Sequence, residues 1–219
     1  MSNIEQDTPQ WLDWRSKGIG SSDCSAMMML SKYKTIDQLW EEKVTGVDNF
    51  KGNFATERGK ELEPIARDIY EFEFKIVMTP MVFVHPRFSY MRYSSDGYNK
   101  ELNYNVEFKC PLSKKAIEEA KEGKVPEQYW PQTQWGLFVT GTNFIDYGTY
   151  DGQASLSVTR IFKCDSYARA LQTRARWFWH KVTSKKEITA EEKEKCLNLN
   201  KKLFTNLAIR TENLLPLNK

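Results

Sequence analysis

The chain has 219 residues, 40% hydrophobic and 28% charged, and its 32 basic and 29 acidic side chains leave a net charge of +3. That length suits one core and is short for two ordinary domains, so a single domain over 1–219 is expected, with the C-terminal part (about 165–219) packed on it. The mild charge excludes a purely electrostatic nucleic-acid binder, and no apolar run approaches the ~20 residues that cross a bilayer.

Met1-Ser2-Asn3-Ile4-Glu5 lacks the basic-then-apolar pattern of a signal peptide, so a cytoplasmic protein with no membrane partner is expected. Cys24, Cys110, Cys164 and Cys196 stand far apart with no C-x-x-C pair. That spacing disfavours zinc and fits reduced thiols, with an iron–sulfur cluster closed by distant cysteines as the minor alternative.

In chain order, 9–16 reads as a short helix with proline in its first turn. Gly18 to Ser22 is a turn, and Ser22-Asp23 can cap an apolar helix running to Leu30. Residues 35–44 form a helix with Ile36, Leu39, Trp40 and Val44 on one face. A longer helix over 54–73 carries Leu62, Ile65, Ala66, Ile69 and Tyr70 at helical spacing, and Pro64 predicts a kink or restart within it. The period then changes to strands at 75–84, 90–94 and 104–109, with Asp96-Gly97 opening a turn to Asn103 between the last two. Helices at 113–122 and 127–140, strands at 144–150 and 155–162, and helices at 165–183 and 189–214 complete the chain. This order implies an α/β fold with a central mixed β-sheet flanked by helices.

Glu107-Phe108-Lys109 carries the chemistry. On a strand, positions i and i+2 share a face, so Glu107 and Lys109 point one way and Phe108 points into the core. A returning strand can set the Asp96 carboxylate beside Glu107. Two converging carboxylates suit a hard cation such as Mg²⁺ or Mn²⁺, and a nearby lysine can orient or deprotonate a water. The triplet by itself is unspecific: E-x-K occurs six times, at Glu41, Glu73, Glu107, Glu119, Glu122 and Glu191. Four of these fall on helical stretches, where i and i+2 do not share a face. Glu73 has no upstream acid on a strand, and a surface ion pair remains the competing reading of Glu107 and Lys109.

Read with its neighbours, Asp96-Gly97 followed by Glu107-Phe108-Lys109-Cys110-Pro111 resembles the core motif of the PD-(D/E)xK nucleases, and within them the lambda exonuclease (YqaJ-like) recombinase family. Trp14 to Ser22 resembles that family's W-x-x-x-R-x-x-x-I-x-x-S block. Gly59-Lys60-Glu61-Leu62-Glu63 resembles its G-x-x-x-E helix, and Gln132-Thr133-Gln134-Trp135 its glutamine-bearing helix. Serine stands at Ser94 and Ser95, where many members have proline before the aspartate.

The resemblance implies a restriction-endonuclease-like core. It implies two Mg²⁺ ions, with Mn²⁺ as a substitute, held by Asp96, Glu107, the Phe108 backbone carbonyl and Glu63. Lys109 would position the attacking water and Gln132 would help hold that water or the substrate, with Gln134 in the same block free to point elsewhere. Arg15, Ser22 and Ser94 would form a pocket for a 5′ phosphate, a role compatible with Arg15's planar fork. It further implies 5′-to-3′ exonuclease action on one strand at double-stranded DNA ends in a bacterial host cell, a ring-shaped homotrimer, and a single-strand annealing protein as partner. A restriction-type endonuclease and an inactive DNA-binding protein on the same fold are the alternatives. Without the resemblance, Arg15 reads as a surface arginine and Glu63 as a solvated helix acid. His85, His180, Trp177, Phe178 and Trp179 read as structural, and Lys185, Lys186, Lys193, Lys195, Lys201 and Lys202 as a solvated face.

Overall fold

The computed structural model describes residues 4–47, 52–205, 207 and 209–215. Met1 to Asn3 of the opening segment, and positions 206 and 208 of the stretch 189–214, lie outside the described residues.

Local chemistry explains the helix starts. Helix α1 (Pro9–Ser16) opens where the Thr8 hydroxyl accepts from Trp11 N at 3.2 Å. Ser21–Asp23 form a 3-10 turn leading into α2 (Cys24–Met27), far shorter than a helix reaching Leu30. Thr35 and Gln38 form a reciprocal cap for α3 (Ile36–Thr45). Asn53 caps α4 (Phe54–Phe74), which runs continuously through Pro64 and does not restart there. Ala66 and Tyr70, both fully buried, hold that helix onto the sheet across the N–H that proline lacks. Lys75 ends α4 in the left-handed region at φ 56°, so the strand expected from residue 75 begins four residues later.

The strands are β1 (Thr79–Val84), β2 (Arg92–Asn99), β3 (Tyr104–Lys109), β4 (Phe144–Tyr150), β5 (Leu156–Phe162) and β6 (Thr211–Leu215). They form one sheet in sequence order, antiparallel except for the parallel pair β3–β4. A parallel neighbour needs a crossover, supplied by α5 (Lys114–Lys121) and α6 (Trp130–Thr140). Helices α7 (Asp165–Thr183) and α8 (Ala190–Thr205) follow β5.

Two cores lie on opposite faces of the sheet. Ala66 and Tyr70 of α4 meet Val106 and Phe108 on one face; Trp135 and Leu137 of α6, with Leu171 and Phe178 of α7, meet Tyr93 and Tyr147 on the other. The result is the expected α/β architecture of a mixed sheet between helical layers. Among the described residues, no helix is long and apolar enough to cross a membrane.

A buried polar tie fixes α4. Arg160 donates twice to Asp146, at 2.8 and 2.9 Å, and the Tyr70 hydroxyl donates to the same carboxylate at 2.6 Å. The fully buried Asp146 charge is thus paired and hydrogen-bonded, the condition under which burial is tolerable.

Two further sequence expectations differ from the structure. Asp96-Gly97 is not a turn: both residues lie inside β2, and the turn to β3 occupies 100–103. The register passes from Met81 opposite Ser95 to Thr79 opposite Tyr98, so Asp96 and Gly97 together oppose Pro80. That is a β-bulge, placed where Pro80 has no N–H for the ladder. The bulge needs glycine, because a Cβ at Gly97 would lie 2.8 Å from Met78 Cβ and 2.9 Å from Val106 Cγ2. The stretch 189–214, expected as helix, instead divides into α8 and the edge strand β6, where Leu215 is buried opposite Val158.

Candidate active site

The ladder between β2 and β3 stops at Gly97 opposite Val106. Beyond that point Asp96 Oδ2 accepts from Phe108 N at 2.7 Å, so a carboxylate satisfies the next β3 amide. Strand alternation sends Phe108 into the α4-side core and leaves Glu107 and Lys109 on the α6 side. This place is the carboxyl end of β3 in the parallel pair, the end of an open α/β sheet where ligands bind.

Glu107 is 2% exposed and its two oxygens differ. Oε1 accepts from Lys109 Nζ at 2.6 Å and from Gln132 Nε2, carried in by the first turn of α6. Oε2 is buried and meets no hydrogen-bond partner of ordinary geometry among the described residues. Burial, reinforced by the Glu107 and Glu63 charges, pushes the Asp96 carboxyl well above the usual carboxylate range. Glu63, half-buried on α4, is raised by burial and then by Glu107. Burial lowers Lys109's proton affinity, but Glu107 and Asp96 outweigh it and hold the amine as an ammonium donor.

Three acids thus lean toward one place with one lysine among them, and a buried carboxylate oxygen there is unsatisfied. Such a donor set fits a hard divalent cation, because oxygen ligands and excess negative charge are what Mg²⁺ and Mn²⁺ take up. Among the described residues, no three acid, imidazole or thiol groups close into a ready-made cage. The Asp96, Glu107 and Glu63 charges nevertheless act on one another. A cleft of about 700 Å³ opens beside Glu63, lined by Gln6, Asp7, Lys60, Arg67 and Thr79 among others.

The residues expected to hold a phosphate are partly assembled. Arg15 Nη2 donates to Ser22 Oγ at 2.9 Å and to Asp23 Oδ1 at 3.1 Å, with its guanidinium 5.3 Å from the Trp11 ring centre. Ser94 Oγ accepts from Gln6 Nε2 at 2.9 Å and Trp11 Nε1 at 3.3 Å, so it joins the group through Trp11. Gln134 faces elsewhere and bonds Phe162 O and Cys164 N, at 3.0 and 2.8 Å, between α6 and the end of β5. Phe178 is core and Trp179 stacks on Tyr90, as their helical spacing predicts.

Some supporting residues carry no sequence signal. Arg67 donates to Asp96 O at 2.9 Å, and Gln6 reaches Ser94. Arg58 ties α4 to Cys110 O and Asp151 O, both at 2.8 Å, just beyond the ends of β3 and β4. Their partners lie between 29 and 93 positions away, beyond the reach of local periodicity.

The signature of the YqaJ-like viral recombinase domain matches residues 10–143. YqaJ of Bacillus subtilis (strain 168) is 29% identical over 145 residues, which are 65% of this chain and 45% of that protein. The chain therefore spans less than half the length of that relative. Among solved structures, the alkaline exonuclease LHK-Exo of Laribacter hongkongensis superposes with a TM-score of 0.68 at 25% identity, over 91% of this chain and all of that one. LHK-Exo in complex with dAMP superposes at 0.69 with the same identity and coverage. A phage-related exonuclease from Haemophilus somnus 129PT shares the fold, at TM-score 0.58 and 14% identity over 78% of this chain and 96% of its own.

Proposed function

The chain belongs to the YqaJ-like viral recombinase family, and from that premise we propose that it is an Mg²⁺-dependent exonuclease digesting one strand of linear double-stranded DNA in the 5′-to-3′ direction. The observation that carries this reading is Glu107: one oxygen saturated by Lys109 and Gln132, the other bare and buried, beside the buried Asp96. The likeness to alkaline exonucleases supports it, and the dAMP in LHK-Exo is a nucleotide of the class this reaction releases.

Asp96, Glu107, the Phe108 carbonyl and Glu63 are the oxygen donors for two Mg²⁺ ions, or Mn²⁺ in their place. Bound there, the ions supply positive charge to the phosphoryl group and to the departing 3′ oxygen. Lys109 and Gln132 orient Glu107 and, through free donor positions, a water for attack on phosphorus. The water oxygen bonds to phosphorus, the bond to the 3′ oxygen breaks, and a proton passes to that oxygen. The products are a 5′-mononucleotide and a strand with a new 5′ phosphate. Arg15, Ser22 and Ser94 receive that phosphate, with Arg15 already oriented by Asp23. A homotrimer around the duplex and a single-strand annealing protein as partner complete the proposal, on family membership alone.

The test follows nucleotide release from linear duplex with 5′-phosphate or 5′-hydroxyl ends, with and without Mg²⁺, beside a supercoiled plasmid. Mg²⁺-dependent release of 5′-mononucleotides, faster from phosphorylated ends and absent from the plasmid, is expected. Cutting of the closed plasmid would point to an endonuclease. Equal rates from both kinds of end would remove the phosphate pocket, and no hydrolysis with Mg²⁺ or Mn²⁺ would leave a DNA-binding protein.

A further inference from the structure

Five buried side-chain polar atoms lack a hydrogen-bond partner among the described residues, and three of them, Glu107 Oε2, Tyr93 Oη and Asn105 Oδ1, belong to side chains on the same face of the sheet. Tyr93 on β2 is fully buried and shares its aromatic cluster with Phe83 and Tyr98. Tyr98 is paired across the ladder with Asn105, which lies two residues before Glu107 on β3, so Tyr93 and Glu107 face α6 together. The phenol end of Tyr93 lies directly beneath Gly136 of α6. A Cβ there would lie 2.9 Å from Tyr93 Cζ, so only glycine leaves the ring its place. One helical turn before Gly136 on α6 is Gln132, which donates to the other oxygen of Glu107. The phenol is close enough to Glu107 and Ser95 to feel both, yet it makes no hydrogen bond of ordinary geometry to either.

An isolated hydroxyl inside a core is costly, and phenylalanine would fill the same volume without that cost. A phenol supplies one donor, and a carboxylate oxygen has lone pairs for a donor and a cation at once. We propose that Tyr93 is a positioning residue whose hydroxyl, seated by Gly136, orients the free oxygen of Glu107 toward a bound divalent ion. This inference rests on the divalent-ion reading above. Lys109 and Gln132 hold one side of the carboxylate and Tyr93 steers the other, the kind of support from behind that metal-binding carboxylates generally receive.

The test is Mn²⁺ titration by calorimetry on the full, metal-free chain, beside its melting temperature, for wild type, Tyr93→Phe and Gly136→Ala. Tyr93→Phe is expected to bind Mn²⁺ about 10-fold more weakly at an unchanged or higher melting temperature. Gly136→Ala, which keeps the hydroxyl but displaces the ring, is expected to weaken Mn²⁺ binding as well. Wild-type affinity in Tyr93→Phe overturns the role of Tyr93 alone. So does a weaker affinity accompanied by a clearly lower melting temperature, since that is lost packing. A wild-type chain that takes up no Mn²⁺ overturns the divalent-ion reading and this inference with it.

Discussion

Lys109 and Gln132 converge on a single oxygen of Glu107, an asymmetry that an exposed surface ion pair would lack. In an exposed pair both oxygens would meet water and the interaction would contribute little; here Oε2 is buried and unpaired among the described residues. Lys109→Ala is expected to lower nucleotide release by about 10²–10⁴-fold, the usual contribution of a group that positions or transfers a proton. Initial rates at saturating DNA and Mg²⁺ measure it, and a variant with wild-type rates would remove Lys109 from the centre. The meeting of Glu107 and Lys109 was legible in the sequence, because alternation on a strand puts them on one face, and the neighbouring motifs singled this E-x-K triplet out as the candidate. Tyr93 and Arg67 were not, since each acts on a partner from another strand or helix.

At the scale of elements, the bulge decides the site. The sequence offered Asp96 as a candidate on a hairpin turn; the structure keeps it in β2 and re-aims it by pairing Asp96 and Gly97 against Pro80. Asp-Gly is a turn signal and also what a bulge requires, and which applies depends on the strand opposite. Gly97→Ala is expected to destabilise the fold by about 1–3 kcal/mol, the usual range for forcing an extra carbon into a packed core. Asp96 shifts with the strand, so nucleotide release falls too. Urea unfolding beside the release assay measures both, and a stable, fully active Gly97→Ala would refute this account of the bulge. Helices 9–16 and 165–183 and strands 104–109 and 144–150 stand as their periodicity predicts. β6 escapes because Thr211–Leu215 offers too few residues for a period and becomes a strand by pairing with the open edge of β5.

At the scale of the molecule, Asp23 joins the N-terminal turn to α3. Its carboxylate meets Lys43 at 2.9 Å, with both side chains 2% exposed, and Arg15 at 3.1 Å. Burial alone would raise the Asp23 carboxyl, but Lys43 and Arg15 more than offset it and hold the group well below its usual range. A carboxyl depressed by folding stabilises the native state above its unfolded value, near ~4, and that stability is lost as the pH falls toward the folded value. Asp23→Asn is therefore expected to cost about 3–5 kcal/mol near neutrality, since it leaves Lys43 without its principal partner. The gap to wild type narrows as the pH falls below about 4. Unfolding curves across that range measure it, and a gap that stays constant with pH would show that the Asp23 charge is not what binds these segments. Elsewhere, Lys193 and Lys195 are paired with Asp37 and Glu191, at 2.6 Å each, on a solvated face.

By itself the sequence determined the alternation of helices and strands and the family, and it singled out Asp96, Glu107 and Lys109 as the candidate centre, because periodicity and short motifs are local and survive without coordinates. Only the tertiary structure decided which oxygen of Glu107 stays bare, how Asp96 reaches Phe108, and what holds Arg15 and Ser94. Those outcomes depend on register between strands and on packing across the sheet, where residues far apart in the chain settle one another's orientation.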